Sequence, residues 1–172
     1  MIRSYILFIS CYLLLSCGGY AQKPITTFIL VRHAEKENDG TSNPNLSIEG
    51  KNRASNLANL LKETHVDAIL STPYKRTFST VQPLAEAKKL TIETYEAMKD
   101  DEMDRILNKY KGLTVVICGH SNTTPWTVNY FLGTAEYPPF EDSDYDNLII
   151  LDVVEKGQAK ATWLNYGKTG NP

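Results

Sequence analysis

The chain has 172 residues and a formal net charge of −2, with a composition ordinary for a globular protein. That length suits one domain with a substantial core. The slight acidic balance and the lack of a basic stripe exclude a nucleic-acid footprint; Lys109 and Lys111, flanking Tyr110, read as a solvated helix end.

The first 21 residues read as a processing segment. Arg3 precedes a short apolar stretch over 6–15, too short to span a bilayer comfortably. Two cleavage readings compete. Leu14-Leu15-Ser16-Cys17-Gly18 resembles a bacterial lipobox, which would leave Cys17 lipidated and attach the protein to a membrane. Gly19-Tyr20-Ala21 has the small residues of an ordinary signal-peptidase site, which would start the mature chain at Gln22. A third reading keeps the segment as an uncleaved anchor. All three put the remaining single domain, 22–172, outside the cytoplasm: periplasmic, secreted or lipid-anchored at the outer membrane. Only Cys118 lies beyond this segment, so the mature domain has no intrachain disulfide, and Cys118 reads as a small core residue.

Residues 26–31 form an apolar run that predicts a buried first strand ending at Arg32-His33. A polar loop over 35–45 follows, punctuated by Gly40 and Pro44. Ser47 is the predicted N-cap of a helix to about Lys62, with Ile48, Ala54, Leu57, Ala58 and Leu61 on its apolar face. Residues 68–70 predict a second strand. Pro73 suits the first turn of the next helix, and Pro83 is expected to kink or divide that helix near Gln82. A third strand is predicted over 91–95 and a helix over 101–110, with Gly112 as its stop. The central strand spans 113–118 and leads into Gly119-His120. A helix over 122–132 ends at Gly133, and a long acidic loop over 134–145 is expected at the surface or beside the site. Two strands, 147–154 and 159–166, flank a Lys156-Gly157 turn and should pair antiparallel. This alternation predicts a three-layer α/β/α sandwich with a largely parallel sheet.

In such a sheet, ligands bind outside the carboxyl ends of the strands. Three strand ends carry Arg32-His33, Ser71-Thr72-Pro73-Tyr74-Lys75-Arg76-Thr77 and Gly119-His120. Guanidiniums clamp phosphoryl oxygens, and a neutral imidazole is a competent nucleophile. His33 would need one bare nitrogen and a fixed acceptor, such as a backbone carbonyl, for the other. Arg32 and Arg76 should offset charge on a transferring phosphoryl group and make His33 harder to protonate. His120 could donate to a phosphoryl oxygen, and His65, without such company, reads as a loop histidine.

Arg32-His33, Leu46-Ser47-x-x-Gly50, Ser71-Thr72-Pro73-x-x-Arg76-Thr77 and Gly119-His120 occur in the order of the histidine phosphatase superfamily, which the chain resembles over nearly all of its length after residue 21. The resemblance implies a phosphoglycerate mutase-like fold, phosphorylation of His33, and phosphate binding by Arg32, Arg76 and His120. It departs from the usual pattern at Ala34, where glycine often follows the nucleophile. It also implies an acid for the leaving group a little beyond the third strand. Asp100, followed by Asp101 and Glu102, lies at about that distance, and Glu96 is the second option; these acids equally suit the start of the following helix. Asn38 and Ser47 are weaker candidates for phosphate contacts. Asn122 and Thr123 could meet oxygens at a helix N-terminus.

The expected activity is hydrolysis of phosphate monoesters, on phosphorylated small molecules or a phosphoprotein, through a phosphohistidine on His33. No metal or other cofactor is expected, since no ligand spacing stands out. The short stretch over 95–112 leaves little room for capping helices and implies an open site. The alternatives are a mutase-type phosphotransferase, which needs a closed pocket, and a non-catalytic module of the same fold that binds phosphorylated ligands. The sequence leaves the oligomeric state open.

Overall fold

The computed structural model describes residues 22–167, so the processing segment and Cys17 lie outside the described residues. The elements run β1 (Thr26–Arg32), α1 (Ile48–Leu60), β2 (Ala68–Ser71), α2 (Lys75–Lys88), β3 (Ile92–Thr94), α3 (Asp100–Lys109), β4 (Thr114–Gly119), α4 (Thr123–Leu132), β5 (Asn147–Glu155) and β6 (Gln158–Asn165). The strands form one sheet in the order β3-β2-β4-β1-β5-β6. The first four pair in parallel, and β5 and β6 join antiparallel beyond β1.

Strand periodicity explains the layers. Successive side chains leave opposite faces of a strand. Phe28 and Leu30 of β1 and Val115 and Ile117 of β4 meet Met103 and Ile106 of α3 and Val128 and Phe131 of α4. Ile29, Val31, Val116 and Cys118 face the other way, onto Leu57 of α1 and Val81, Leu84 and Ala85 of α2. A strand buried on both faces reads as a continuous apolar run, as β1 and β4 do. The result is the expected α/β/α sandwich around a mixed, mostly parallel sheet. Cys118 is a buried free thiol whose ionisation burial pushes up.

Local chemistry sets the element ends. The Ser47 hydroxyl accepts from the Gly50 N–H at 3.2 Å and caps α1. Gly50 is required because a Cβ there would run into the backbone of Glu35.

Two expectations for α2 need correction. Pro73 lies ahead of the helix: the Thr72 carbonyl accepts from the Tyr74 N–H at 2.8 Å, a tight turn around the proline, and the helix starts at Lys75. Pro83 does not divide the helix, which runs unbroken to Lys88. An interior proline costs about 3 kcal/mol, but Val81, Leu84 and Ala85 on either side of it are buried and hold the helix to the sheet. Ser79, whose carbonyl loses its donor, lines a shallow surface groove with Pro83, where water can reach it.

Candidate active site

The four parallel strands end on one edge of the sheet, and their following residues line one cavity of about 670 Å³. β1 supplies Arg32 and His33, β2 leads into Thr72, Tyr74 and Arg76, β3 into Glu96, and β4 into His120 and Asn122. The structure therefore brings Arg32, His33, Arg76, His120 and Asn122 together.

His33 prolongs the β1–β4 ladder: its N–H donates to the Gly119 carbonyl at 2.9 Å. Its Nδ1–H donates to the Ala34 carbonyl at 2.8 Å. A carbonyl only accepts, so this contact puts the proton on Nδ1 and leaves Nε2 with its lone pair. The next residue, Ala34, is anchored by its N–H to Thr80 Oγ1 at 2.9 Å and packs its methyl against Leu46 and Ala54. The alanine methyl beside His33 is thus accommodated. His33 is buried, and that burial, assisted by the nearby Arg32, His120 and Arg76, pushes its pKa down to about 3 against the opposing bond to Ala34. The imidazole is neutral at ordinary pH.

Arg32 is held from an unexpected direction. Its Nη1 donates to the carbonyls of Glu141 and Asp144, both at 2.8 Å, and its guanidinium lies over the Tyr145 ring at 4.1 Å. Its Nε is buried and has no hydrogen-bond partner among the described residues. Burial lowers its pKa, opposed by Tyr145, Asp142 and Asp144, and it remains a cation. The long acidic loop therefore borders the site. Asn129 clamps that loop by bonding both the N–H and the carbonyl of Tyr137, and the Phe140 N–H donates to the Ser121 carbonyl.

Arg76 stacks over Tyr74 at 4.5 Å and points Nη2 at His120 Nδ1, 3.4 Å away. The rings of His33 and His120 meet edge-on with centroids 5.4 Å apart. Burial and the two arginines press the His120 pKa down to about 4. Gly119, between β4 and this histidine, leaves no room for a side chain: a Cβ would sit 2.5 Å from Thr123 Oγ1. That hydroxyl accepts the His120 N–H at 2.8 Å and aims the residue.

Other candidates fall outside the cavity. Asp100 starts α3, and its exposed carboxylate lies 3.5 Å from Lys156 on β5's outgoing turn. It does not line the cavity, because the five residues between β3 and α3 set the helix start away from the strand ends. Glu96, next to β3, does line it, as does Asp142 on the acidic loop. Ser47 spends its hydroxyl on Glu49 and on the cap, and neither it nor Asn38 reaches the cavity. Sequence reasoning missed Tyr74, Tyr145, Lys36 and Asp142 as lining residues. Tyr74 was visible inside the second motif. Tyr145 carried no local signal, because only tertiary folding brings it to Arg32. Among the described residues, no cluster of three or more metal-ligating side chains occurs, and no helix is long and apolar enough to cross a membrane.

Residues 28–105 match the histidine phosphatase superfamily (branch 1), so the resemblance carried by the motifs is a family match over that stretch. Phosphoserine phosphatase 1 of Hydrogenobacter thermophilus is 43% identical over 84 residues, which are 45% of this chain and 37% of that protein. The chain thus matches little more than a third of this relative's length. Among solved structures, the protein histidine phosphatase SixA complexed with tungstate superposes with a TM-score of 0.68 at 16% identity, covering 81% of this chain and 96% of that one. A phosphoglycerate mutase from Bacillus anthracis gives 0.64 at 12% identity, covering 83% and 93%. These superpositions establish a phosphoglycerate mutase-like fold.

Proposed function

We propose that this chain, a histidine phosphatase by its matched segment and its fold, hydrolyses phosphate monoesters through a phosphohistidine on His33. The observation that carries the reading is the state of that imidazole. It is neutral, its Nδ1–H is held by the Ala34 carbonyl, and Nε2 is left as a lone pair among Arg32, Arg76 and His120. Nε2 attacks phosphorus, and the bond from phosphorus to the ester oxygen breaks. Arg32 and Arg76 offset the charge on the phosphoryl oxygens. The departing alkoxide takes a proton from the protonated carboxyl of Glu96, which follows β3 on the cavity wall and whose other contact is Lys99 Nζ. Water then attacks the phosphohistidine, gives its proton back to Glu96, and releases phosphate and free His33.

The substrate class is a phosphorylated small molecule. Lys36, Glu96 and Asp142 lie on the cavity's exposed rim and suit a leaving group that carries its own charges. Phosphoserine is the first compound to try, since the partly matching relative is named for it. Hydrolysis is favoured over mutase chemistry because only five residues separate β3 from α3, too few for a cap over the site. We further propose export, which rests on the N-terminal sequence alone. The test is a panel of phosphate esters with the full chain and its His33→Ala variant. Metal-independent turnover by the parent and loss of at least about a thousandfold in the variant are expected. Turnover by the variant near the parent rate would overturn the nucleophile.

A further inference from the structure

Buried hydroxyls next to His120 form a chain that the mechanism above does not use. Thr72 Oγ1 lies 2.9 Å from His120 Nε2 and 3.1 Å from Thr77 Oγ1. Thr77 Oγ1 in turn lies 2.8 Å from the Thr72 carbonyl and 2.9 Å from the Tyr74 carbonyl. Both threonines are buried. Each hydroxyl has one proton to give. Carbonyls only accept, so the Thr77 proton goes to a carbonyl. The 3.1 Å contact between the hydroxyls then holds a proton only if Thr72 donates it. With that proton committed, Thr72 can only accept from His120. The reverse arrangement, with Thr72 donating to His120, leaves two oxygen lone pairs facing each other in a buried site, which is unfavourable.

We propose that Thr72 and Thr77 are positioning residues that lock His120 as its Nε2–H tautomer, so that Nδ1 is the nitrogen it presents to a bound phosphoryl group. This rests on the phosphatase reading for its purpose, though not for its geometry. The lock makes the two histidines opposite tautomers: His33 carries its proton on Nδ1 and attacks with Nε2, whereas His120 carries it on Nε2 and keeps Nδ1 bare. Nδ1 faces Arg76 Nη2 from α2, with Arg32 and His33 from the end of β1 and the Tyr74 ring, perpendicular to the imidazole, around the same histidine. A bare nitrogen accepts. A monoanionic ester can therefore donate its P–OH to Nδ1 in a hydrogen bond that holds this oxygen beside Arg76. A free-floating ring would divide its population between tautomers and lose this alignment.

The test begins with two-bond 1H–15N spectra of the full chain labelled at histidine nitrogen, at pH 7.5 without phosphate. His33→Gln, His65→Gln and His120→Gln spectra assign the three rings. The expected parent spectrum has His120 protonated at Nε2 and His33 at Nδ1. A parent His120 protonated at Nδ1 overturns the proposal, and this readout needs no Thr variant to fold. In Thr72→Val, which keeps the shape and removes the acceptor, His120 should populate both tautomers. Its kcat/KM on 4-nitrophenyl phosphate should fall about fivefold to tenfold, the scale of one lost hydrogen bond. Thr72→Ser should return the tautomer and bring the rate to within about twofold of the parent. An unchanged tautomer in Thr72→Val, or a Ser variant as impaired as Val, also overturns the lock. A parent that hydrolyses no ester but has His120 protonated at Nε2 sinks the proposed activity and leaves the lock standing.

Discussion

Acidification should destabilise the ligand-free protein through two histidines in particular. The folded chain holds His33 at a pKa of about 3 and His120 at about 4, whereas both return to about 6.5 once unfolded. The unfolded state therefore binds more protons between these values, and stability must fall as pH drops through the unfolded pKa. At pH 7.5 neither form is protonated in either state, and the linkage is absent. At pH 5.5 each unfolded imidazole gains about 1.4 kcal/mol from its proton, and the folded ones gain almost nothing. The pair thus withdraws about 3 kcal/mol over two pH units, which at this chain length corresponds to roughly 6–12 °C in Tm. Near pH 4 the slope flattens as His120 takes its proton in the folded state. The assay is urea unfolding in phosphate-free buffer at pH 7.5, 6.5 and 5.5, for the parent and for His33→Gln/His120→Gln. The parent should lose about 3 kcal/mol more than the double variant. Equal losses in the two proteins would refute the buried, neutral state on which nucleophilic attack by His33 depends.

Three further outcomes are expected. Glu96→Gln should slow hydrolysis of alkyl phosphates by about a hundredfold and of aryl phosphates far less, because a phenolate leaves with little protonic help, whereas Asp100→Asn should leave both classes within about twofold; parallel kinetics on phosphoserine and 4-nitrophenyl phosphate decide it. Arg53→Ala should cost about 2–4 kcal/mol in denaturant unfolding, since it leaves the half-buried Glu35 carboxylate and the Tyr166 carbonyl without the guanidinium that bonds both; a cost below about 0.5 kcal/mol would place that ion pair among the dispensable ones. Activity should survive exhaustive chelation, as a covalent histidine route with arginine clamps requires, and loss restored only by one divalent ion would count against it.

The part of the site that was legible in the sequence is the part built from strand ends. A strand buried on both faces ends where its apolar run ends, so Arg32-His33 and Gly119-His120 could be placed on one sheet edge from hydropathy alone. Arg76 followed from the turn and helix that leave β2. The helix-start acids were less tractable. Asp100 and Glu96 are only four positions apart, and which one reaches the cavity depends on where α3 begins relative to the strand ends. Helix boundaries are the feature least sharply encoded in local pattern. Pro83 erred in the opposite sense: the local rule was sound, and the apolar residues around it overrode it by packing.

Tyr145 is a different case, and it bears on how the site holds together. Arg32 spends one nitrogen on two carbonyls of the acidic loop and stacks on Tyr145, so this guanidinium is at once a candidate phosphate ligand and the anchor of the loop. The loop's own sequence, rich in Asp and Glu with two prolines, carries no phosphate-binding motif, and its length alone left it at the surface or beside the site. It is there because Arg32 is a buried cation whose nitrogens need acceptors, and two backbone carbonyls of the loop supply them. The two arginines are arranged alike in this respect: Arg32 lies over Tyr145 and Arg76 over Tyr74, each held by a ring face and a backbone carbonyl. A guanidinium fixed that way keeps its charge for the ligand. The electrostatic part of the site is therefore set by two aromatic residues and a loop, none of which bears the chemistry, and motif reading alone finds only the groups they hold.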